Sequence, residues 1–248
     1  MTMLELPGKF VEFVGAIAAF FWVSFFEDPG AFFATVADSP LTSFFELLFV
    51  LFLVGVAATV VGGVAWSAAR RSPYPLIRAI EFYTRLFGLA GAWIIVALIG
   101  AMVYEVIARY FLAAPTKWAF EVAYMLMGTS FMFGIAYCLQ MRRHVRVDFV
   151  YNAVGPKARA TIDLVGYAVL VPMILWLCAG LWDYFHQAYK VNELSGESAW
   201  NPIIWPFKFT FVIGFVLLLM QIVAEALKRV LVLAGREVPE PEATGRLG

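Results

Sequence analysis

Long apolar runs, most of them close to the length of a bilayer-crossing helix, constrain this chain more than any other feature. They cover residues 10–26, 44–66, 86–107, 118–139, 164–182 and 203–224. Backbone polar groups cannot stay unpaired in hydrocarbon, so such runs must form helices. With 62% hydrophobic and 15% charged residues, the chain lacks the polar surface that a soluble domain needs. The sequence therefore predicts an all-α polytopic integral membrane protein with about six transmembrane helices.

Composition divides the chain into four parts. Residues 1–70 are predicted to form an N-terminal transmembrane hairpin, although the short run 10–26 leaves open whether its first helix crosses fully. Residues 71–86 combine a basic, proline-containing linker with an amphipathic helix that is expected to lie on the inner membrane surface. Residues 87–233 are predicted to form a four-span core, and residues 234–248 are predicted to form a polar, disordered tail. The N-terminus does not resemble a signal peptide and is expected to be retained.

Basic residues fix the predicted orientation, because loops rich in Lys and Arg stay in the cytoplasm. With both termini inside and six crossings, the outer side keeps only four of the 18 basic residues, Arg109, Lys117, Lys190 and Lys208. We therefore expect a multi-pass protein of a bacterial inner membrane with both termini cytoplasmic. The net charge of zero gives no indication of a nucleic-acid partner.

Acidic residues within or beside apolar helices are the first candidates for function. Glu105 precedes Arg109 by four residues, a spacing that favours an ion pair within one helix, with a role in transport as the alternative. Trp118 and Glu121 share one helix face near the outer boundary, where an unpaired carboxylate must face protein or water, or be protonated. We predict that Trp118 and Glu121 contact another subunit, with simple exposure at the interface as the alternative.

Two tryptophans that follow the fifth apolar run, Trp200 and Trp205, suit either an interfacial aromatic belt or the docking of an outside partner. The two histidines, His144 and His186, fall on opposite sides of the predicted membrane, which counts against a haem with two histidine ligands in this chain. The sequence contains no metal-ligand spacing, phosphate-binding loop or nucleophile–base pair. No cofactor and no enzymatic activity are expected.

The most charged loop of the core lies between the fourth and fifth apolar runs and contains Arg142, His144 and Asp148. Its arginines hold the loop in the cytoplasm under the positive-inside rule. His144 and Asp148 are not needed for orientation, and at four-residue spacing they can share one face of a helical turn. We predict that they fix the shape of the loop or its contact with another subunit.

From about residue 85 to 229, the chain resembles the small membrane subunit of tripartite ATP-independent periplasmic (TRAP) transporters, the DctQ-like family. The resemblance rests on four spans, on Arg109-Tyr110, on the helix opening Trp118-Ala119-Phe120-Glu121 and on the loop His144-Val145-Arg146-Val147-Asp148. The family's opening often reads Trp-x-Glu-Glu, and this chain has Phe120 in place of the first acid. A role that needs two carboxylates is therefore in doubt.

The resemblance implies a scaffold that packs against a large TRAP membrane subunit and helps to dock a periplasmic substrate-binding protein. Sodium coupling and carriage of an organic acid would belong to the large subunit, and the lipid bilayer would surround both. The alternative from another class is the membrane-anchor subunit of a respiratory or redox enzyme complex. A haem absorption band in the purified protein would favour that alternative.

Overall fold

A computed structural model describes residues 40–70, 72–141 and 154–236. These residues form five α-helices: α1 (Pro40–Arg70), α2 (Tyr74–Tyr110), α3 (Ala119–Gln140), α4 (Pro156–Lys190) and α5 (Trp205–Leu233). Within the described ranges, extended pairing is limited to an isolated bridge between Leu194 and Ile203. The predicted all-α fold class is confirmed.

Four of these helices, α2 to α5, are long and apolar enough to cross a membrane. They correspond to the four predicted core spans, and α1 contains the apolar run 44–66. The predicted first span, at residues 10–26, and the predicted tail beyond residue 236 lie outside the described residues.

The chain divides into two compact units, Met1–Leu76 and Ile77–Gly248. In the described part of the first unit, Ser67 holds the turn that follows α1. Its backbone carbonyl accepts a hydrogen bond from Ser72 N at 3.0 Å, and its hydroxyl accepts one from Leu76 N at 3.2 Å.

Helix α2 is longer than its membrane-crossing part requires. Its 37 residues extend about 55 Å at the α-helical rise of 1.5 Å per residue, against about 30 Å of hydrocarbon. The predicted surface helix and the predicted first core span are thus one continuous helix. Pro73 precedes α2 and Pro75 lies in its first turn, where a missing N–H is tolerated, so neither proline interrupts the helix near Leu86. The predicted position of the first turns on the membrane surface stays a prediction.

Helix α5 forms the centre of the second unit. In its most apolar stretch 56% of residues are buried, against 11% for each of α2, α3 and α4. It packs against both α3 and α4. Two outer helices with largely exposed apolar surfaces, α3 and α4, therefore share one buried helix.

Glycines allow close approach between the helices of this unit. A Cβ added to Gly214 of α5 would lie 2.7 Å from the backbone carbonyl oxygen of Met132 on α3. On α2, a Cβ at Gly91 would lie 3.1 Å from the carbonyl oxygen of Ser130, whose hydroxyl donates to the Gly91 carbonyl at 2.9 Å. These contacts fix the register of α3 against both α2 and α5.

Candidate functional site

Charged residues of α2 to α5 lie towards the helix ends and leave the middle of each helix uncharged. No Asp, Glu, Lys or Arg occurs in 86–104, 122–141, 164–182 or 209–224. We call the end of the bundle that contains Glu105, Glu121 and Lys208 the outer end, and the end that contains Glu81, Asp163 and Lys228 the inner end, following the predicted orientation.

At the outer end, Glu105 organises the connection between α2 and α3. Its Oε1 accepts a hydrogen bond from Arg109 Nε at 2.9 Å, and the terminal guanidinium nitrogen makes a second contact. Its Oε2 accepts from the Thr116 backbone N at 3.0 Å and from the Thr116 hydroxyl. The same hydroxyl accepts a hydrogen bond from Ala119 N at 3.3 Å. The Glu105–Arg109 pair therefore anchors the start of α3 as well as the end of α2.

Trp118 and Glu121 lie at the start of α3 but have different surroundings. The Trp118 ring stacks on Tyr104 of α2, with the ring centroids 5.8 Å apart. Glu121 is fully buried in the first turn of the helix, and neither carboxylate oxygen has a hydrogen-bond partner among the described residues. The neighbouring Phe120, which takes the position of the family's first acid, is exposed. The helix N-terminus favours a negative charge at Glu121 but does not replace a hydrogen bond.

The connection from α4 to α5 is a hydrogen-bonded hairpin that contains Trp200 and ends at Trp205, the first residue of α5. Ser195 N donates to the Pro202 carbonyl and Ile204 N donates to the Glu193 carbonyl, each at 2.9 Å. Left-handed φ angles of 46°, 70° and 47° at Asn192, Gly196 and Asn201 suit residues that tolerate this backbone region. Asn201 Oδ1 also accepts a hydrogen bond from Gly196 N at 2.7 Å.

The two tryptophans of this connection differ in accessibility. Trp205 is 1% exposed and packs its ring against Phe185 and Tyr189 of α4. Trp200 is 46% exposed on the connection itself. Any direct contact with an outside partner is therefore open to Trp200, whereas Trp205 would act by holding the connection in place. The docking role of both stays a prediction.

Lys208 fastens this connection to the bundle. Its Nζ donates to Glu193 Oε2 at 2.6 Å and lies 3.8 Å from the centroid of the Tyr184 ring. The Lys208 side chain is buried, whereas that of Glu193 is partly exposed. The positive-inside rule uses Lys208 only as one of the few basic residues on the outer side. Sequence reasoning therefore missed its contacts with Glu193 and Tyr184.

At the inner end, five charged side chains connect three helices. Lys228 of α5 is fully buried, and its Nζ lies 2.5 Å from Glu81 Oε1 of α2 and 2.5 Å from Glu225 Oε1 of its own helix. Arg229 Nε lies 2.8 Å from Asp163 Oδ2 of α4. We call these five residues, Glu81, Asp163, Glu225, Lys228 and Arg229, the inner network. Buried charges are stable only when paired, so the inner network holds α2 and α4 against α5.

Sequence reasoning did not find the inner network. The amphipathic pattern of residues 71–86 predicts only that Glu81 lies on the polar face of the surface helix, and the positive-inside rule makes Lys228 and Arg229 markers of the cytoplasmic side. A usable signal was the spacing of Gln221, Glu225 and Lys228, which places three polar side chains on one face of an otherwise apolar helix. The partners on α2 and α4 depend on tertiary register, which no local pattern gives.

The predicted inner loop residues Arg142, His144 and Asp148 lie outside the described residues, so their roles stay predictions. In the described part of the chain, no group of three or more His, Cys, Asp or Glu side chains is placed to hold a metal ion. Cys138 and Cys178 are free thiols. The described side chains can therefore pair, pack and dock, and they form no arrangement that we recognise as catalytic.

The fold and these sites define a helical, multi-pass membrane subunit whose charges fasten helices and loops at both ends of the bundle. The family described as "Tripartite ATP-independent periplasmic transporters, DctQ component" matches residues 98–232, more than half of the chain. The chain belongs to this family, which is a transporter component and not an enzyme. The resemblance seen in the sequence is confirmed.

A curated relative agrees with the family match. The sialic acid TRAP transporter permease protein SiaT of Haemophilus influenzae (strain 86-028NP) is 24% identical over 120 residues, which are 48% of this chain and 20% of that protein. The chain thus covers about a fifth of the relative's length. No solved structure gives a significant match.

Proposed function

We propose that this chain is the static small permease subunit of a sodium-driven TRAP transporter that imports an organic acid. The family match over residues 98–232 carries the proposal. The uncharged middle of every helix from α2 to α5 supports it, because ion and substrate pathways in membranes are marked by polar and ionisable residues at depth. The same match favours transport over the redox-anchor alternative.

The substrate class and the partners belong to the proposal. The name of the SiaT relative refers to sialic acid, which is a carboxylic acid and agrees with an organic-acid substrate. A large membrane subunit would carry substrate and sodium, and a periplasmic binding protein would deliver the substrate. The expected location is a bacterial inner membrane with both termini in the cytoplasm, which agrees with the distribution of basic residues.

We assign the subunit contacts to both ends of the bundle. At the outer end, Trp118 and Glu121 would face the large subunit, whose donor group would satisfy the buried carboxylate after a local rearrangement. At the inner end, Arg142, His144 and Asp148 would fix the loop against the same partner. Trp200, supported by the packed Trp205, would contact the binding protein.

Co-expression with a candidate large TRAP membrane subunit tests the proposal. We expect a complex that survives purification, and uptake into proteoliposomes only when both membrane proteins, the binding protein and a sodium gradient are present. A stable chain that supports uptake by itself would contradict the scaffold role. Uptake that ignores the sodium gradient would contradict the proposed coupling alone.

The inner-loop assignment has its own test. The double substitution of His144 and Asp148 by Ala should reduce complex yield or uptake without inverting the topology. Lys157→Ala, which removes one exposed basic side chain from the start of α4, serves as the control. Equal yield and uptake for both variants would leave the loop with an orienting role only.

A further inference from the structure

Three consecutive large apolar side chains are exposed where α2 ends. Tyr110 is 77% exposed, Phe111 80% and Leu112 65%. We call these three residues the outer tip. Single exposed apolar residues are ordinary on a protein surface, whereas an exposed apolar cluster marks a surface that another molecule covers.

Backbone geometry holds the outer tip in one shape. The backbone N–H groups of Phe111 and Leu112 both donate to the Ile107 carbonyl, at 2.9 and 3.3 Å. Ala113 then takes a left-handed φ of 50°, which ends the helix. The connection that follows is anchored by the Glu105 carboxylate, which accepts a backbone hydrogen bond at 3.0 Å. The outer tip is therefore part of a structured turn.

The length of the uncharged stretch of α2 places the outer tip beyond the bilayer. Residues 86–104 extend about 28 Å, which matches about 30 Å of hydrocarbon. Tyr110 ends α2 about 9 Å further out at the helical rise. The headgroup layer on one side of a bilayer is only about 5–7 Å thick. Phe111 and Leu112 follow Tyr110 and therefore lie outside the lipid.

A deeper placement of α2 would bring charges into the hydrocarbon. A shift inward by about 9 Å would submerge Glu105 together with Arg109 and Lys117, and charges at that depth are costly. A helix tilt of about 20° shortens the axial distance by only about 6%. Cover by lipid is therefore disfavoured, which leaves a protein partner.

The composition of the two outer connections distinguishes two kinds of protein partner. Residues 110–115 contain no charged side chain, whereas residues 191–204 contain Glu193, Glu197 and several polar side chains. Interfaces of permanently assembled subunits are more apolar than those of partners that bind and release. The connection 191–204 therefore suits a partner that leaves, and the outer tip suits a partner that stays.

We propose that the outer tip docks on an apolar surface at the outer face of the large TRAP membrane subunit. This assignment rests on the proposed function, because it presupposes that subunit. The outer tip is continuous with the contact already proposed at Trp118, whose ring stacks on Tyr104 less than two turns before the end of α2. Phe120, in the first turn of α3, extends the exposed surface. The connection between α2 and α3 thus forms one preorganised contact element.

Cysteine labelling from the outer side tests the assignment. In a background with Cys138→Ser and Cys178→Ala, Phe111→Cys provides a thiol for a membrane-impermeant maleimide. The control is Val191→Cys, at a position on the other outer connection that is 72% exposed. Without the large subunit, both thiols should react. With that subunit co-expressed and no binding protein present, labelling of Phe111→Cys should fall by about tenfold or more, because an interface excludes water, and that of Val191→Cys should not change.

A double substitution tests whether the outer tip contributes to assembly. Phe111→Ser combined with Leu112→Ser should lower co-purification of the large subunit by about tenfold. The unfolding midpoint of the isolated chain should not change, because both side chains are exposed. Val191→Ser should leave both measurements unchanged. Loss of the complex in Phe111→Cys but not in Val191→Cys would support the assignment in the same way.

The outcomes separate this contact from the proposed function. Phe111→Cys that stays labelled within a purified complex overturns the contact and leaves the scaffold function untouched. Absence of labelling in every condition would show cover by lipid, and protection only by added binding protein would assign the outer tip to that partner. Either result overturns the contact, as does equal protection of Val191→Cys. Failure of the unaltered chain to form a complex contradicts the proposed function itself.

Discussion

Lys208 is a buried cation with one carboxylate partner and one aromatic neighbour. Its ion pair with Glu193 is asymmetric, because the lysine is enclosed and the carboxylate is partly in solvent. Loss of either partner therefore leaves a different residue unpaired, with a different cost.

We expect Glu193→Gln to destabilise the protein more than Lys208→Met. The first variant leaves a buried ammonium with only the Tyr184 ring and a neutral amide, at a cost of about 1–3 kcal/mol. The second leaves a carboxylate that water can reach, at about 1 kcal/mol or less. Thermal unfolding in detergent gives the order, and protease cleavage within 191–204 gives its location.

Glu197→Gln is the matched control, since Glu197 lies on the same connection and is exposed. It should leave the midpoint unchanged. The opposite order, with Lys208→Met the more damaging variant, would mean that the packing of the lysine stem outweighs its ion pair.

At the scale of residues, the sequence predicts the ion pair within α2, but it does not predict the ion pairs between helices. The four-residue spacing of Glu105 and Arg109 predicts their contact directly. Nothing local predicts that Thr116 binds the same carboxylate, or that Glu81 contacts Lys228, which lies 147 positions later in the sequence. The sequence does not predict the burial of Lys228 either, because a lysine that follows an apolar run can equally well be solvated.

At the scale of helices, the inner network predicts that its central cation is more costly to remove than one of its carboxylate partners. Lys228→Met would leave Glu81 and Glu225 as two buried carboxylates around one missing cation, at about 3–5 kcal/mol. Glu81→Gln would leave the Lys228–Glu225 pair intact and should cost about 1–3 kcal/mol. Thermal unfolding compares the two variants, and hydrogen exchange should locate the loosened segment in the first turns of α2.

Arg78→Gln, on the same helix but not in the inner network, serves as the control. A larger loss for Glu81→Gln than for Lys228→Met would contradict the pairing of Lys228 with both carboxylates.

Close packing between α3 and α5 gives a second prediction about helices. Gly214→Ala should destabilise the protein by about 1–3 kcal/mol, because the new Cβ would meet the backbone of Met132 and the helices would have to separate. Gly134→Ala adds the same methyl group where no atom lies within 4 Å, and should be neutral or slightly stabilising. Equal unfolding midpoints for the two variants would contradict the close contact.

The sequence predicted the membrane-spanning helices, but it did not predict that α2 continues without a break from Tyr74 to Tyr110. Apolar runs predicted the positions of α2 to α5, because hydrocarbon requires helices of that length. The prolines at 73 and 75 and the amphipathic pattern suggested a separate surface helix before Leu86. A proline in the first turn of a helix does not interrupt the turns that follow. The same residues are therefore compatible with one 37-residue helix.

At the scale of the whole chain, the family match lies entirely within the second compact unit. The match begins at residue 98, whereas the first compact unit ends at Leu76. We expect a chain that lacks residues 1–71 to insert and to co-purify with the large subunit, because the inner network and both outer-end connections remain complete.

Affinity purification through a tag on the large subunit measures this outcome. The matched comparison is a chain that keeps residues 1–71 and contains Lys228→Met. Loss of the complex on truncation alone would place an essential subunit contact in the N-terminal unit.

The central position of α5 has a consequence for biosynthesis. Chains are made from the N-terminus, so α3 and α4 leave the ribosome before the helix on which they pack exists. For that interval, Glu81 and Asp163 have no Lys228 or Arg229 to meet. Contacts between α2 and α3 can form early, whereas the inner network is completed only when α5 enters among helices already in the membrane. A ribosome stalled between α4 and α5 would present an open three-helix intermediate, which quality-control proteases of the membrane could recognise.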